Sequence, residues 1–215
     1  NFKKIGSPDI THSNNFYAPP TNKFCKNIYT LYDLSFFSNP DWTSIANWRT
    51  CSDGVFAGSF MADHIVTISS FTKECFLNLF PNFDEKKISI IYPTSRFENF
   101  YLSSSFVVQD LRLRENEFFL SVGTLEPRKN HMAIIKAYIQ FINESKTKDL
   151  PLLVFAGGVG WLYEETMSFI KENKLEDRII FTGYVSDDLL FWLYQNCSLN
   201  IYLSHYEGFG MPILE

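Results

Sequence analysis

The sequence predicts an α/β protein built on parallel sheets. Three observations carry this reading. Short β-branched or aromatic runs alternate with longer stretches of helical periodicity. Several of the runs stop on a glycine, where the chain can turn toward the next helix. The alternation fades from Pro93 to about Glu115, around Ser103, Ser104 and Ser105, and so divides the chain into two series.

In the first series, Asn1 to Lys26 is polar and irregular, with Pro19-Pro20, and reads as a loop. Asn27 to Leu34 (NIYTLYDL) reads as a strand, and about Asp41 to Met61 as helix. His64 to Ser69 (HIVTIS) is a second strand. Ser70 to Leu79 is a helix capped by Ser70 or Thr72, with Pro81 just past its end. Ile88 to Tyr92 (ISIIY) is a third strand.

The second series is cleaner. Glu117 to Val122 is a strand ending on Gly123, and a turn runs from Thr124 to Lys129. Asn130 is the expected N-cap of an amphipathic helix reaching about Asn143. Leu152 to Ala156 is a strand, Trp161 to Asn173 a helix, and Arg178 to Thr182 a strand ending at Gly183. Ser186 caps a helix to about Gln195, and Ser198 to Leu203 is the last strand. In open α/β sheets ligands gather beyond the carboxyl ends of the strands, so the loops that follow are where function is sought.

Composition bounds the rest. Of 215 residues 46% are hydrophobic and 20% charged, enough to build a core and too apolar for a disordered chain. The net charge of -5, with acids and cations interspersed, argues against a nucleic-acid partner. Cys25, Cys51, Cys75 and Cys197 form no CxxC pair, which argues against a zinc site, and His12, His64, His131 and His205 have no metal-ligand spacing. Four free or buried thiols suit a reducing compartment. No apolar run reaches the ~20 residues of a membrane-spanning helix. Asn1 is not a methionine and Glu215 follows an apolar stretch, so both ends are expected to be cuts. Trp42, Trp48 and Trp192, with most of the phenylalanines and tyrosines, read as packing residues, while Trp161 follows a glycine loop.

Two segments carry candidate chemistry. In Glu207-Gly208-Phe209-Gly210, glycines around an aromatic residue let backbone amides approach a ligand closely. Pro212 then suits a helix start, where free N–H groups favour a phosphate or a hydroxyl-rich ligand, and Glu215 would project from that first turn. Taken alone, the segment reads equally as a glycine turn between two solvated acids. In Gly123 to Asn130, Arg128 and Lys129 stand just before a helix N-terminus, an unfavourable place for cations unless an anion is bound there. Both residue types suit a diphosphate. The other reading is a solvated basic turn.

Four segments in this order resemble the family-four retaining glycosyltransferases of GT-B architecture, also called group 1 glycosyltransferases. They are VGTLEPRKN at Val122 to Asn130, FAGG at Phe155 to Gly158, FTGYVSDDLL at Phe181 to Leu190 and EGFGMPILE at Glu207 to Glu215. Thr30 to Leu34 and Ala62 to Pro93 extend the resemblance more weakly. It implies two Rossmann-like domains with parallel sheets, both incomplete: residues 1–107 from the N-terminal, acceptor-side domain and 108–215 from the donor-binding domain. It implies transfer of a sugar from a nucleotide-sugar donor to a hydroxyl of a glycan or lipid-linked acceptor, with retention and without cofactor or metal.

By the same resemblance Glu207 acts at the transferred sugar and Lys129 at the donor diphosphate, with Arg128 adding charge and Thr124 also among the donor-binding residues. Amides of Gly208, Phe209 and Gly210 bind sugar hydroxyls or phosphate. Glu215 meets the ribose, and Tyr184 and Val185 lie at the base. The chain departs from the family pattern at Thr124, where an arginine is common, and at Tyr32, where a histidine often precedes the aspartate matched by Asp33. Tyr can donate a hydrogen bond but is no base near neutral pH. Tyr32 and Asp33 therefore read either as cleft residues or as a plain strand-end turn, and His205 as a cleft residue or a loop histidine. The implied setting is cytoplasmic, compatible with peripheral contact at the inner face of the membrane. Two other readings stay open: a non-catalytic sugar-nucleotide-binding paralogue, which would bind donor without turnover, and a GT-B epimerase, which would need further acid/base carboxylates. A phosphorylase on the same fold would need a lysine-bound pyridoxal cofactor.

Overall fold

In the computed structural model residues 8–14, 25–102, 112–147 and 149–215 are described, and the chain divides into two compact units. One runs to Pro93 and includes Glu207–Gly210; the other comprises Thr94–Tyr206 and Met211–Glu215. The domain boundary expected between residues 107 and 108, and Ser103 to Ser105, lie outside the described residues.

The first unit holds a parallel sheet of β1 (Ile10–Asn14), β2 (Lys26–Leu31), β3 (His64–Thr67) and β4 (Ile88–Ile90), in that spatial order. β1 corrects the expectation of a loop over Asn1 to Lys26. Its sequence ITHSN carries no alternating apolar face, and polar side chains help tie it to β2. Thr11 Oγ1 donates to Asn27 Oδ1 at 2.5 Å, and His12 Nε2 lies 2.7 Å from Thr30 Oγ1.

Among the described residues, the helices between these strands are α1 (Ser35–Ser38), α2 (Ile45–Met61) and α3 (Ser70–Leu79). The α2 start is set by Ser44, whose hydroxyl accepts from Asn47 N; the expected first turn from Asp41 is instead a 3-10 turn at Pro40–Trp42. The α3 cap is Ser69, accepting from Thr72 N, and not Ser70 or Thr72. Tyr29, Leu31, Leu34, Val55, Ile65 and Phe76 form the buried centre, with Trp48 packed against it. Gly58 makes this possible, since a Cβ there would stand 2.6 Å from the Tyr29 ring.

In the second unit the sheet order is β7-β6-β5-β8, all parallel, from β5 (Phe118–Val122), β6 (Leu152–Ala156), β7 (Ile179–Gly183) and β8 (Leu199–Asn200). β8 is shorter than its apolar run, although hydrogen bonds from Ser198 N to Phe118 O and from Ile201 N to Leu120 O extend the ladder. Strand alternation feeds two cores. Leu153 and Phe155 join Ile134, Ile135 and Tyr138 of α4 (His131–Glu144) and Ile170 of α5 (Glu164–Glu172). Phe118, Leu120, Val154 and Ala156 join Phe97 and Leu190 and Leu193 of α6 (Asp187–Asn196). Helices thus pack on both faces, as a parallel sheet requires.

Backbone conformation decides two helix starts. Leu162, at φ +55°, breaks the stretch expected to begin at Trp161, so α5 starts at Glu164. Asn130 precedes α4 but is left-handed, at φ +58°, and makes no capping bond; its side-chain amide donates to Leu203 O at 3.1 Å. α6 starts as expected, with Ser186 accepting from Leu189 N. A last short helix, α7, spans Met211–Leu214.

Candidate functional site

The predicted residues fall in both units. In the second unit, Lys129 closes a 3-10 turn, Pro127–Lys129, beyond the carboxyl end of β5. Its stem lies over the strand-end glycine: Cε would be 3.1 Å from a Cβ at Gly123. Its ammonium stands 5.8 Å from the centroid of the Tyr202 ring, a cation–π contact. Thr124 is exposed, beside the loop that follows β6.

Arg128 is arranged differently. Its Nη2 lies 2.6 Å from Glu126 Oε1, and its Nη1 donates to Tyr206 O at 2.9 Å. Its own carbonyl accepts from His205 N. The guanidinium therefore ties the turn before α4 to the segment preceding Glu207, and Glu126, 5% exposed, neutralises its charge. Sequence reading missed Glu126; the only signal was an acid next to Pro127-Arg128, which proximity alone did not make a partner.

His131, the first residue of α4, is buried with its ring edge-on to Phe155, 4.9 Å between centroids. Burial first, and then the charge of Lys129, push its pKa down to about 4, against a raising hydrogen bond with Glu126 backbone. It is neutral at pH 7. Together with Leu125, Glu126, Asn130, Tyr163 and His205 it lines a cavity of about 190 Å³.

Both carboxylate oxygens of Glu215 have a partner. Its Oε1 is 2.5 Å from Arg96 Nε and its Oε2 accepts from Tyr194 OH at 3.1 Å; the side chain is 1% exposed. Arg96 also reaches Asp187 Oδ1 at 3.0 Å, in the first turn of α6. No motif in the sequence marked Arg96. Tyr184 is 88% exposed, whereas Val185 packs against the core beneath α6.

In the first unit, Tyr32 and Asp33 follow β2, and Gly208 packs against them. A Cβ at Gly208 would stand 2.0 Å from Tyr32 O and 2.9 Å from Asp33 Cβ, so only glycine fits. Asp33 Oδ1 accepts from Ser35 N and Ser35 Oγ, which fixes the turn at the end of β2. The Phe209 ring lies 6.1 Å from that of Tyr92, and Gly210 takes φ +102°. Among the described residues no cluster of three His, Cys, Asp or Glu could hold a metal, and the four cysteines form no disulfide. No helix among them is long and apolar enough to cross a membrane.

The sequence profile of the family described as Glycosyl transferases group 1 matches residues 106–215, just over half the chain and all the second-unit site residues just described except Arg96. The chain belongs to the group 1 glycosyltransferases. The O-antigen chain mannosyltransferase B of Escherichia coli is 29% identical over 218 residues, covering 96% of this chain and 54% of that protein. A Campylobacter jejuni 4-alpha-N-acetylgalactosaminyltransferase, whose name gives N-acetylgalactosamine-N,N'-diacetylbacillosaminyl-diphospho-undecaprenol as acceptor, is 32% identical over 130 residues, covering 60% of this chain and 32% of its own. The Anabaena protein HepE, solved with UDP and glucose, superposes with a TM-score of 0.65 at 21% identity, covering 88% of this chain and 49% of HepE. That likeness shows the fold, GT-B with Rossmann-like parallel sheets. The chain spans about half the length of the first of these relatives and of HepE.

Proposed function

We propose that this group 1 glycosyltransferase chain carries the donor-binding part of a retaining enzyme. The enzyme moves a sugar from a nucleotide-sugar to a hydroxyl of a glycan or lipid-linked acceptor. The observation that carries the reading is Lys129, whose ammonium stands beyond the carboxyl end of β5, within the residues the family profile matches. A cation there stabilises the charge that develops on a departing diphosphate, the term that dominates transfer of a phosphate-activated group. Glu207 acts at the transferred sugar. The amides of Gly208, Phe209 and Gly210 donate to hydroxyl or phosphate oxygens, and Tyr184 and Val185 lie along the base. Glu215 acts at the ribose; a carboxylate can accept further hydrogen bonds beside those from Arg96 and Tyr194.

The names of the relatives favour a mannosyl donor first and a diphospho-lipid-linked glycan as acceptor. Such an acceptor fits action at the inner face of the membrane from the cytoplasm. No cofactor takes part, the nucleotide-sugar being a substrate. The test uses the full-length protein with UDP-glucose, UDP-N-acetylglucosamine and GDP-mannose. Lys129→Ala and Glu207→Ala should each lower transfer by about a hundredfold or more with an unchanged melting temperature, as expected for lost electrostatic stabilisation. Wild-type rates in either variant overturn the assignment. Binding of donor by the wild type without turnover would point instead to a non-catalytic paralogue.

A further inference from the structure

The Gly208 carbonyl is held by two buried hydroxyls to which sequence reading assigned no role at the Glu207–Gly210 loop. Ser69 Oγ lies 2.5 Å from Gly208 O, and Thr72 Oγ1 lies 3.2 Å from it. Ser69 is 7% exposed and Thr72 is fully buried. Ser69 serves two neighbours at once. Its oxygen accepts the Thr72 N–H as the cap of α3, and its single hydrogen has the Gly208 carbonyl as its nearer acceptor, at 2.5 Å against 3.1 Å for Thr72 Oγ1. Thr72 has a second acceptor within reach, Tyr32 O at 3.3 Å, so one hydroxyl spans the turn after β2 and the Gly208 carbonyl.

The consequence runs through the peptide plane. Gly208 C=O and Phe209 N–H belong to one planar unit, and the peptide bond between them is trans. The two groups therefore point in opposite directions, and fixing the carbonyl fixes the amide. Position 208 has to be glycine because Tyr32 and Asp33 leave no space for a Cβ. Glycine is also the residue least able to hold a peptide plane by itself. The hydroxyls supply that restraint on one side, and the contact of Phe209 with Tyr92 supplies it on the other.

We propose that Ser69, backed by Thr72, is a positioning residue. By clasping the Gly208 carbonyl it turns the Phe209 N–H outward as a donor to the nucleotide-sugar. The proposal rests on the reading of the Glu207–Gly210 amides as donor ligands. Ser69 touches the loop and not the substrate, so its removal should loosen the loop and weaken donor binding together.

The test is amide hydrogen exchange and donor binding on the full-length protein, with Ser69→Gly, Ser69→Thr and Thr72→Val. Glycine is tolerated at an N-cap at little cost to the helix, so Ser69→Gly removes the clasp while leaving α3 in place. The probe is whichever of UDP-glucose and GDP-mannose protects the wild-type loop more. In Ser69→Gly the peptide covering Glu207 to Gly210 should exchange about tenfold faster, with a similar loss of donor affinity, the order expected from one hydrogen bond. Ser69→Thr keeps the hydroxyl and should stay within about twofold of wild type; Thr72→Val should fall between. A folded Ser69→Gly protein with wild-type exchange over that peptide, or with faster exchange and unchanged donor affinity, overturns the proposal. If neither nucleotide-sugar protects the wild-type loop, the donor reading itself falls, whatever Ser69 does to the loop.

Discussion

Arg128 and Glu126 are ion-paired two residues apart, Nη2 to Oε1 at 2.6 Å, with both side chains largely buried. Arg128, read from sequence with Lys129 as a cation suited to a diphosphate, also carries the Tyr206 carbonyl on its other nitrogen and so clamps the turn. Breaking such a pair from one side is costly, because the remaining charge stays in a low-dielectric setting. Arg128→Met should therefore destabilise by about 3 kcal/mol in chemical denaturation. The double variant Glu126→Gln with Arg128→Met should recover a large part of the loss. If Arg128→Met is neutral for stability and costs only donor affinity, Arg128 is a phosphate ligand and the clamp reading is wrong.

Glu215 is coupled to Arg96 and Tyr194 in the same way. Tyr194→Phe removes one hydrogen bond to a charged acceptor and should cost about 1.5 kcal/mol. Arg96→Ala should cost more, since it also releases Asp187. A double-mutant cycle between Arg96 and Glu215 should give a coupling of about 1 kcal/mol or more. Additivity of the two single variants would show that the contact contributes nothing.

His131 gives a pH dependence with a defined sign. Its pKa is about 4 in the folded chain, below the ordinary histidine value of 6.5. The unfolded chain takes up a proton first as pH falls. Stability is therefore full above pH 6.5 and is lost as pH drops toward 4, by an amount on the order of 3 kcal/mol. His131→Phe keeps a ring against Phe155 and removes the proton site. The difference between wild-type and variant stability should slope between pH 6.5 and 4 and be flat from pH 7 to 8; a flat difference throughout refutes it.

Gly58→Ala tests the packing of the first unit. Alanine has the higher helix propensity, by about 1 kcal/mol, so an open site would be stabilised. Here the new methyl meets the fully buried Tyr29 ring, and overpacking of this kind costs about 1–3 kcal/mol. A lowered melting temperature is expected, and a raised one would show that Tyr29 can move aside.

Regular elements with strong periodicity were legible in the sequence. The runs FFLSV, LLVFA and IIFTG became β5, β6 and β7, and Ser186 capped α6, because burial on both faces of a parallel sheet leaves a continuous apolar signature. β1 was not legible. Its residues are exposed or half-buried and carry no apolar alternation, so ITHSN looks like a loop until His12 and Thr11 meet β2. Asn130 looked like a cap because asparagine often is one; its left-handed backbone and its bond to Leu203 O come from a segment about seventy residues away.

The sequence by itself determined the α/β class, the glycine loops at the strand ends, and the segments that mark a group 1 glycosyltransferase. Those are local properties, written in periodicity, turn chemistry and short spacing. Tertiary structure alone decided the partners: Glu126 for Arg128, Arg96 and Tyr194 for Glu215, Ser69 and Thr72 for the Gly208 carbonyl. A charge or a hydroxyl in a sequence has no direction. Whether it faces a ligand or a neighbouring backbone is set by which chain segments burial brings within about 3 Å of it, the reach of a hydrogen bond.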